Sequence, residues 1–231
     1  MSEERRVWDL PVRVFHWALL LAVAGAWCTH AAGVAWFRYH VWCGYTVLVL
    51  VAFRLLWGIV GTRHARFTSF VRGPVATLRY AAQLARGTAP HLAGHNPLGA
   101  WMVLVLLAAL LAQALLGLFG NDEIFNFGPL YGYVSNARSI QLTSLHRRLF
   151  YAILAAIVLH VAAVAWHRYA RGENLVRPMF TGRKPAATVP AEQAIGSSRT
   201  WLALLIVAAL AAALAWIVRH APAPQDVGWF E

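Results

Sequence analysis

The chain has 231 residues, of which 60% are hydrophobic and only 13% charged, with a mean hydropathy of +0.55. A soluble domain carries about 25% Asp, Glu, Lys and Arg, so these figures exclude a disordered chain and do not fit an ordinary cytosolic globule. Twenty basic residues, one of them Lys, face nine acidic ones for a formal charge of +11. The placement of those arginines decides between a nucleic-acid footprint and a membrane topology signal.

Crossing a bilayer as a helix takes about 20 mainly apolar residues. Five stretches qualify, near 14–33, 40–60, 98–119, 146–167 and 201–218. The first has arginines ahead of it, as a signal peptide would. However, Asp9, Arg13 and His16 run into the apolar stretch with no clear small-residue cleavage site, so it reads as an uncleaved span. Cys28 and Cys43 are too few for a disulfide scaffold, and no Cys-x-x-Cys-His is present for covalent haem attachment.

With the N-terminus in the cytoplasm, three arginines precede the first span, at 5, 6 and 13. Five more lie between the second and third, at 63, 66, 72, 79 and 86. Six cations lie between the fourth and fifth: Arg168, Arg171, Arg177, Arg183, Lys184 and Arg199. Only Arg38, Arg138, Arg147, Arg148 and Arg219 fall outside, and Arg54 lies within a span. Such a bias orients the chain by the positive-inside rule. It accounts for the basic charge without nucleic acid and implies a tail on the outer face.

Within the inner loop, residues 74–86 predict an amphipathic helix on the membrane surface, opened by Pro74 and closed by Gly87, with Val75, Leu78 and Leu84 on one stripe. Residues 185–200 read as a linker, 201–218 as an additional span, and 219–231 as a short outer tail.

Ten histidines are many for this length, and an ionisable residue inside a span is a functional candidate. His16 lies near the inner end of the first span, and His40 opens the second at the outer side. His146 opens the fourth span, also at the outer side, and His160 follows it on the same helix. That spacing turns a helix by roughly 1400°, about 40° short of four full turns, with a rise of about 21 Å. His146 and His160 therefore share a face at two depths, His146 level with His40 and His160 level with His16. Two imidazoles at each level are what a six-coordinate haem iron needs, whereas zinc would want three or four ligands together. Arg54, at the depth of the His16–His160 pair, calls for an anion such as a haem propionate.

The chain resembles the bacterial cytochrome b561 family, in particular the cytochrome b subunits that serve nickel-iron hydrogenases or periplasmic c-type cytochromes. The likeness runs from about residue 7 to 184. It rests on VWDLPVRVFHW at 7–17, HVWCGY at 40–45, FRLLWGIVGTRHARF at 53–67, GHNPLG at 94–99, SLHRRL at 144–149 and GENLVRPMFTGRK at 172–184. It implies an all-α integral membrane protein: a four-helix transmembrane bundle holding two non-covalent b-type haems, here with a fifth C-terminal helix. It also implies ligands on the first, second and fourth spans, which pairs His16 with His160 and His40 with His146. The same family implies an electron-transfer subunit of a membrane oxidoreductase system in the bacterial inner membrane, with lipid, quinone and a periplasmic hydrogenase or c-type cytochrome as partners. A homodimer is left open. Some relatives oxidise a small reductant such as superoxide and reduce quinone alone, which is the alternative reading.

Other residues carry weaker expectations. His95 and Asn96 could hydrogen-bond a quinone carbonyl, or else cap the helix that Pro97 opens. Arg147 and Arg148 could reach haem propionates or simply extend to the membrane surface. His64 and Arg66 are expected at lipid phosphate, and His30, His91, His167 and His220 at the surface or interface.

Overall fold

The structure is a computed structural model that describes residues 3–124 and 126–223. Its five long helices are α1 (Leu10–Ala31), α2 (Phe37–Val60), α5 (Pro97–Leu118), α6 (Asn136–Ala170) and α8 (Thr200–Arg219). All five are long and apolar enough to cross a membrane. Between α2 and α5 lie the one-turn α3 (Phe67–Phe70) and α4 (Pro74–Ala85). After α6 come α7 (Val176–Thr181) and strand β2 (Arg183–Pro185), which pairs antiparallel with β1 (Glu4–Arg6).

Local chemistry explains the boundaries. Asp9 caps α1: its Oδ1 accepts the Val12 amide at 2.7 Å, while Pro11 in the first turn has no N–H to leave unsatisfied. Asn96 caps α5 by accepting the Gly99 amide at 2.8 Å. Helix α4 starts at Pro74 and stops before Gly87, whose φ of 72° suits a residue without Cβ. Its Thr77 and Tyr80 are buried, whereas Val75 and Leu78 are each 70% exposed. Two of the three stripe residues therefore turn away from the protein, while Leu84 is half-buried.

Helix α6 begins at Asn136, earlier than the apolar stretch that starts near 146. Its polar opening turns are anchored by the preceding loop. Ser139 Oγ donates to the Phe119 carbonyl at 2.5 Å, and Asn121 Nδ2 to Asn136 Oδ1 at 2.7 Å.

The chain divides into two compact units, and all five long helices contribute residues to both. The first unit comprises Met1–His16, Arg54–Leu106 and Ala156–Leu204. Val7, Trp8, Phe15, Trp57, Phe70 and Val189 are buried in it. The expected 185–200 linker is instead strapped onto this unit. Val189 is fully buried, Arg5 donates to its carbonyl at 2.7 Å, and the Ile195 amide donates to the Arg6 carbonyl at 3.0 Å. Leu10, at the start of α1, donates its amide to Ser198 Oγ at 3.2 Å.

The second unit comprises Trp17–Phe53, Leu107–Ala155 and Leu205–Glu231. Its buried side chains include Val47, Val51, Leu110, Leu118, Tyr131 and Ile153. Trp201, Leu205 and Trp216 of α8 are exposed, and of that helix only Ala203 is buried, as befits a surface bathed in lipid. Of the expected outer tail, residues 224–231 lie outside the described residues.

Candidate functional site

In the first unit, α1 presents His16 and α6 presents His160, with ring centres 6.5 Å apart. In the second, α2 presents His40 and α6 presents His146, with ring centres 6.2 Å apart. An iron bonded to two imidazole nitrogens at about 2 Å each, with ring centres roughly 1 Å beyond those nitrogens, sets the centres about 6 Å apart. Both pairs have that spacing. Among the described residues, no group of three or more His, Cys, Asp or Glu is arranged as a direct metal site.

The second pair also has defined tautomers. His40 Nδ1 lies 2.9 Å from the Ala26 carbonyl and His146 Nδ1 2.9 Å from the Gln113 carbonyl. A carbonyl can only accept, so each Nδ1 carries the proton and each Nε2 keeps its lone pair, the state a metal ligand needs. The two rings line a cavity of about 780 Å³, walled mostly by apolar side chains such as Val47, Leu110 and Phe150. Cofactor-sized ligands occupy cavities of about 300–1,000 Å³. His30, expected at the surface, lines the same cavity, its ring 5.9 Å from His40. The signal for it was its position at the end of the first span, just before the short loop that leads to His40. Arg147 and Arg148 are exposed and line a smaller recess of about 310 Å³ with Glu123 and Ser144; Asn121, Thr143 and Arg147 line both it and the larger cavity.

In the same unit as the first pair, Arg54 on α2 is only 2% exposed. Its guanidinium lies over the Phe67 ring at 5.0 Å and the Phe70 ring at 6.0 Å, while both terminal nitrogens lack a hydrogen-bond partner among the described residues. Cation–π contact offsets only part of the cost of burying such a charge. Two orphaned donors on one buried cation are what an anionic group, such as a propionate, would satisfy. His95 packs against Phe70 (4.6 Å) and Trp8 (4.7 Å), and its buried Nδ1 is also without a partner. Burial, and then the nearby Arg54 charge, push its pKa down to about 3, so the ring is neutral. Asn96, by contrast, commits its side-chain oxygen to the α5 cap.

Three features went unread in the sequence. Asp9, 1% exposed, accepts from Trp57 Nε1 at 3.1 Å and Thr62 Oγ1 at 2.5 Å besides its own helix, tying α1 to the end of α2. His64, expected at lipid phosphate, is buried with its Nε2 2.8 Å from the Gln193 carbonyl. His167 and Lys184, both buried, lie 3.3 Å from the two oxygens of the Glu173 carboxylate, where a surface histidine and a topology-setting lysine were expected.

An all-α membrane bundle that presents facing histidine pairs to apolar surroundings belongs to the class of haem-carrying electron-transfer proteins. The family model described as prokaryotic cytochrome b561 matches residues 7–182, and the chain belongs to that family. With it come haem b binding, transmembrane electron transfer and residence in a prokaryotic inner membrane, among lipids and redox partners. No curated protein and no solved structure matches the chain significantly.

Proposed function

We propose that the chain is a di-haem b-type cytochrome that moves electrons across the membrane between a periplasmic redox partner, a hydrogenase or a c-type cytochrome, and the quinone pool. The observation that carries this reading is the presence of two separate histidine pairs, each at the spacing of bis-imidazole ligation. His16 and His160 hold one haem, and His40 and His146 the other. Bound haem b supplies a one-electron Fe(III)/Fe(II) couple.

The protein's own contribution is orientation, burial and charge. The Ala26 and Gln113 carbonyls keep the Nε2 of His40 and His146 unprotonated and aimed into the cavity. The Arg54 guanidinium would meet a propionate and, as a buried positive charge, would favour the reduced state of that haem. Arg147, which borders the larger cavity, would offer the same contact at the second haem, and Arg148 lies beside it in the smaller recess. His95, neutral and half-buried, offers a ring nitrogen to a quinone carbonyl, with Asn96 beside it. The arginine distribution supports a cytoplasmic N-terminus and a periplasmic C-terminal tail.

A reduced-minus-oxidised spectrum with haem extraction on the purified chain counts the cofactors. His16→Ala and His160→Ala are each expected to remove the same b-type component, and His40→Ala and His146→Ala the other. A colourless protein, or losses that group His16 with His146, overturns the reading. Purification from native membranes then tests the partner. A co-purifying periplasmic redox protein supports the conduit, whereas superoxide-driven quinone reduction by the chain alone supports a stand-alone oxidoreductase.

A further inference from the structure

Four ionisable side chains of the first unit gather outside the histidine pairs. Glu173, in the turn after α6, takes the Lys184 ammonium on Oε1 at 3.3 Å. Its Oε2 faces His167 Nδ1 at 3.3 Å and His91 Nδ1 at 3.4 Å. Exposure falls steadily along this group: the His91 side chain is 46% exposed, that of Glu173 19%, and that of Lys184 7%. Lys184 also donates to the Leu92 carbonyl at 3.0 Å, on the loop that carries His91 at one end and His95 at the other. The ammonium is close enough to His95 for its charge to act on that ring.

We propose that Glu173, reached from solvent through His91 and continued inward by Lys184, delivers the protons consumed when quinone is reduced beside His95. This inference rests on the quinone reading given above. Reduction of a quinone to its quinol takes two electrons and two protons. A haem held by His16 and His160 would supply the electrons, and each C=O oxygen gains one proton as it becomes C–OH. In each delivery Lys184 passes a proton inward and is refilled from Glu173. Glu173 takes its proton from His91 Nδ1, His91 takes one from solvent at its other nitrogen, and proton exchange of the exposed ring with water restores the Nδ1–H form, so the cluster returns to its starting state.

Every charged or titratable neighbour of Glu173 suits that cycle. Burial alone would raise its carboxyl, but Lys184, then His167 and His91, hold it below the ordinary carboxylate range, so it rests as an ionised acceptor. Burial lowers the Lys184 ammonium against the opposing pull of Glu173, which makes it a readier donor. Tyr80 on α4 is raised by burial, with Arg171 and Glu173 acting on it in opposite directions, and so stays protonated. Arg171 donates to the Ala89 carbonyl at 2.7 Å and holds the same loop from the other side.

A purely mechanical clasp on that loop would use the same contacts, so the test must separate proton supply from structure. The full haem-loaded protein is reduced with dithionite and mixed anaerobically with either a short-chain quinone or ferricyanide, which accepts electrons without protons. In Glu173→Gln, haem content, reduced spectrum and the ferricyanide rate are expected to match the wild type. The quinone rate is expected to fall at least about tenfold and to become proportional to proton concentration, about tenfold per pH unit, where the wild type is flat. Glu173→Asp should recover part of the rate. Equal slowing of both oxidants, or slowing of neither, overturns the proposal. If Glu173→Gln fails to load haem, the solvent-facing His91→Gln decides on the same two oxidants: loss of the quinone rate alone supports the relay, and an unchanged rate overturns it. A wild-type protein oxidised by ferricyanide but never by quinone refutes the premise instead, a result distinct from either.

Discussion

Replacement of Asp9 should be among the most damaging single changes outside the histidine pairs. Its carboxylate, 1% exposed, accepts three hydrogen bonds: the Val12 amide at 2.7 Å, Trp57 Nε1 at 3.1 Å and Thr62 Oγ1 at 2.5 Å. Asp9→Ala removes a helix cap, worth about 1 kcal/mol. It also strands the fully buried Trp57 indole N–H and the buried Thr62 hydroxyl, at about 1–3 kcal/mol each. The total is about 3–7 kcal/mol. Asp9→Asn keeps the capping oxygen, and its amide can donate to the Thr62 hydroxyl, which also accepts. Only the indole N–H then faces a donor, for about 1–3 kcal/mol. A chain of this size shifts its melting temperature by about 2–4 °C per kcal/mol, so Asp9→Ala should lower it by about 6–28 °C and Asp9→Asn by roughly a third to a half of that. Thermal unfolding in detergent, followed by the haem absorbance and by helical circular dichroism, measures both. Equal losses for the two variants, or a loss under about 1 kcal/mol for Asp9→Ala, would refute the assignment of three separate hydrogen bonds.

Gly58→Ala places a Cβ 2.0 Å from Phe67 Cε2, so the ring that lies over Arg54 must move. The expected outcome is a destabilisation of about 1–3 kcal/mol and a shifted midpoint for one haem only, read by thermal unfolding and redox titration. Gly117→Ala places a Cβ 3.1 Å from His146 Cε1, and should weaken the other haem signal while leaving the first intact in the same titration. For Glu173 the folded carboxyl lies below its ordinary value of 4.5. Its contribution to stability is therefore complete above that pH and lost as the pH falls through the lower folded value. Wild type and Glu173→Gln should accordingly diverge in melting temperature above about pH 5 and draw together as the pH falls below 4.5 through the lower folded value.

The histidine pairs were legible because helical periodicity and span depth are both carried by spacing alone. His146 and His160 share a face whatever surrounds them, and the bounds of each apolar stretch set how far from its ends a histidine lies. Features that depend on hydrogen bonding between distant segments were not legible. The polar opening of α6, Asn136 to Leu145, carries no hydropathy signal and is helical because the 119–121 loop supplies partners for Ser139, Asn136 and Thr143. The 185–200 segment has the composition of a linker, yet its backbone is held by Arg5, Arg63 and His64, none of which is near it in sequence. Lys184 counted as a topology charge because a lone basic residue beside Arg183 is normally solvated; only the fold brings Glu173 to it.

The two proposed ligands of the second unit are seated by the same device on different helices. His40 donates to the Ala26 carbonyl, and the neighbouring Gly25 has so little room that a Cβ would lie 3.0 Å from Cys43 Sγ, on the α2 turn that follows His40. His146 donates to the Gln113 carbonyl, and Gly117, one turn further along α5, leaves the space that the imidazole occupies. In each case a backbone acceptor fixes the ring's tautomer, and a residue without a side chain lets the helices come close enough for the ring to reach it. Because the acceptors are main-chain atoms, no side-chain substitution can remove them. Control of ligand orientation therefore passes to the register between helices, and this is where small residues at 25 and 117 act. The Thr29 hydroxyl, which donates to the Gly25 carbonyl at 2.6 Å, reinforces the same turn of α1 without competing for the small-residue contact. The ligand geometry of this unit thus follows from how closely its helices pack, before any cofactor binds.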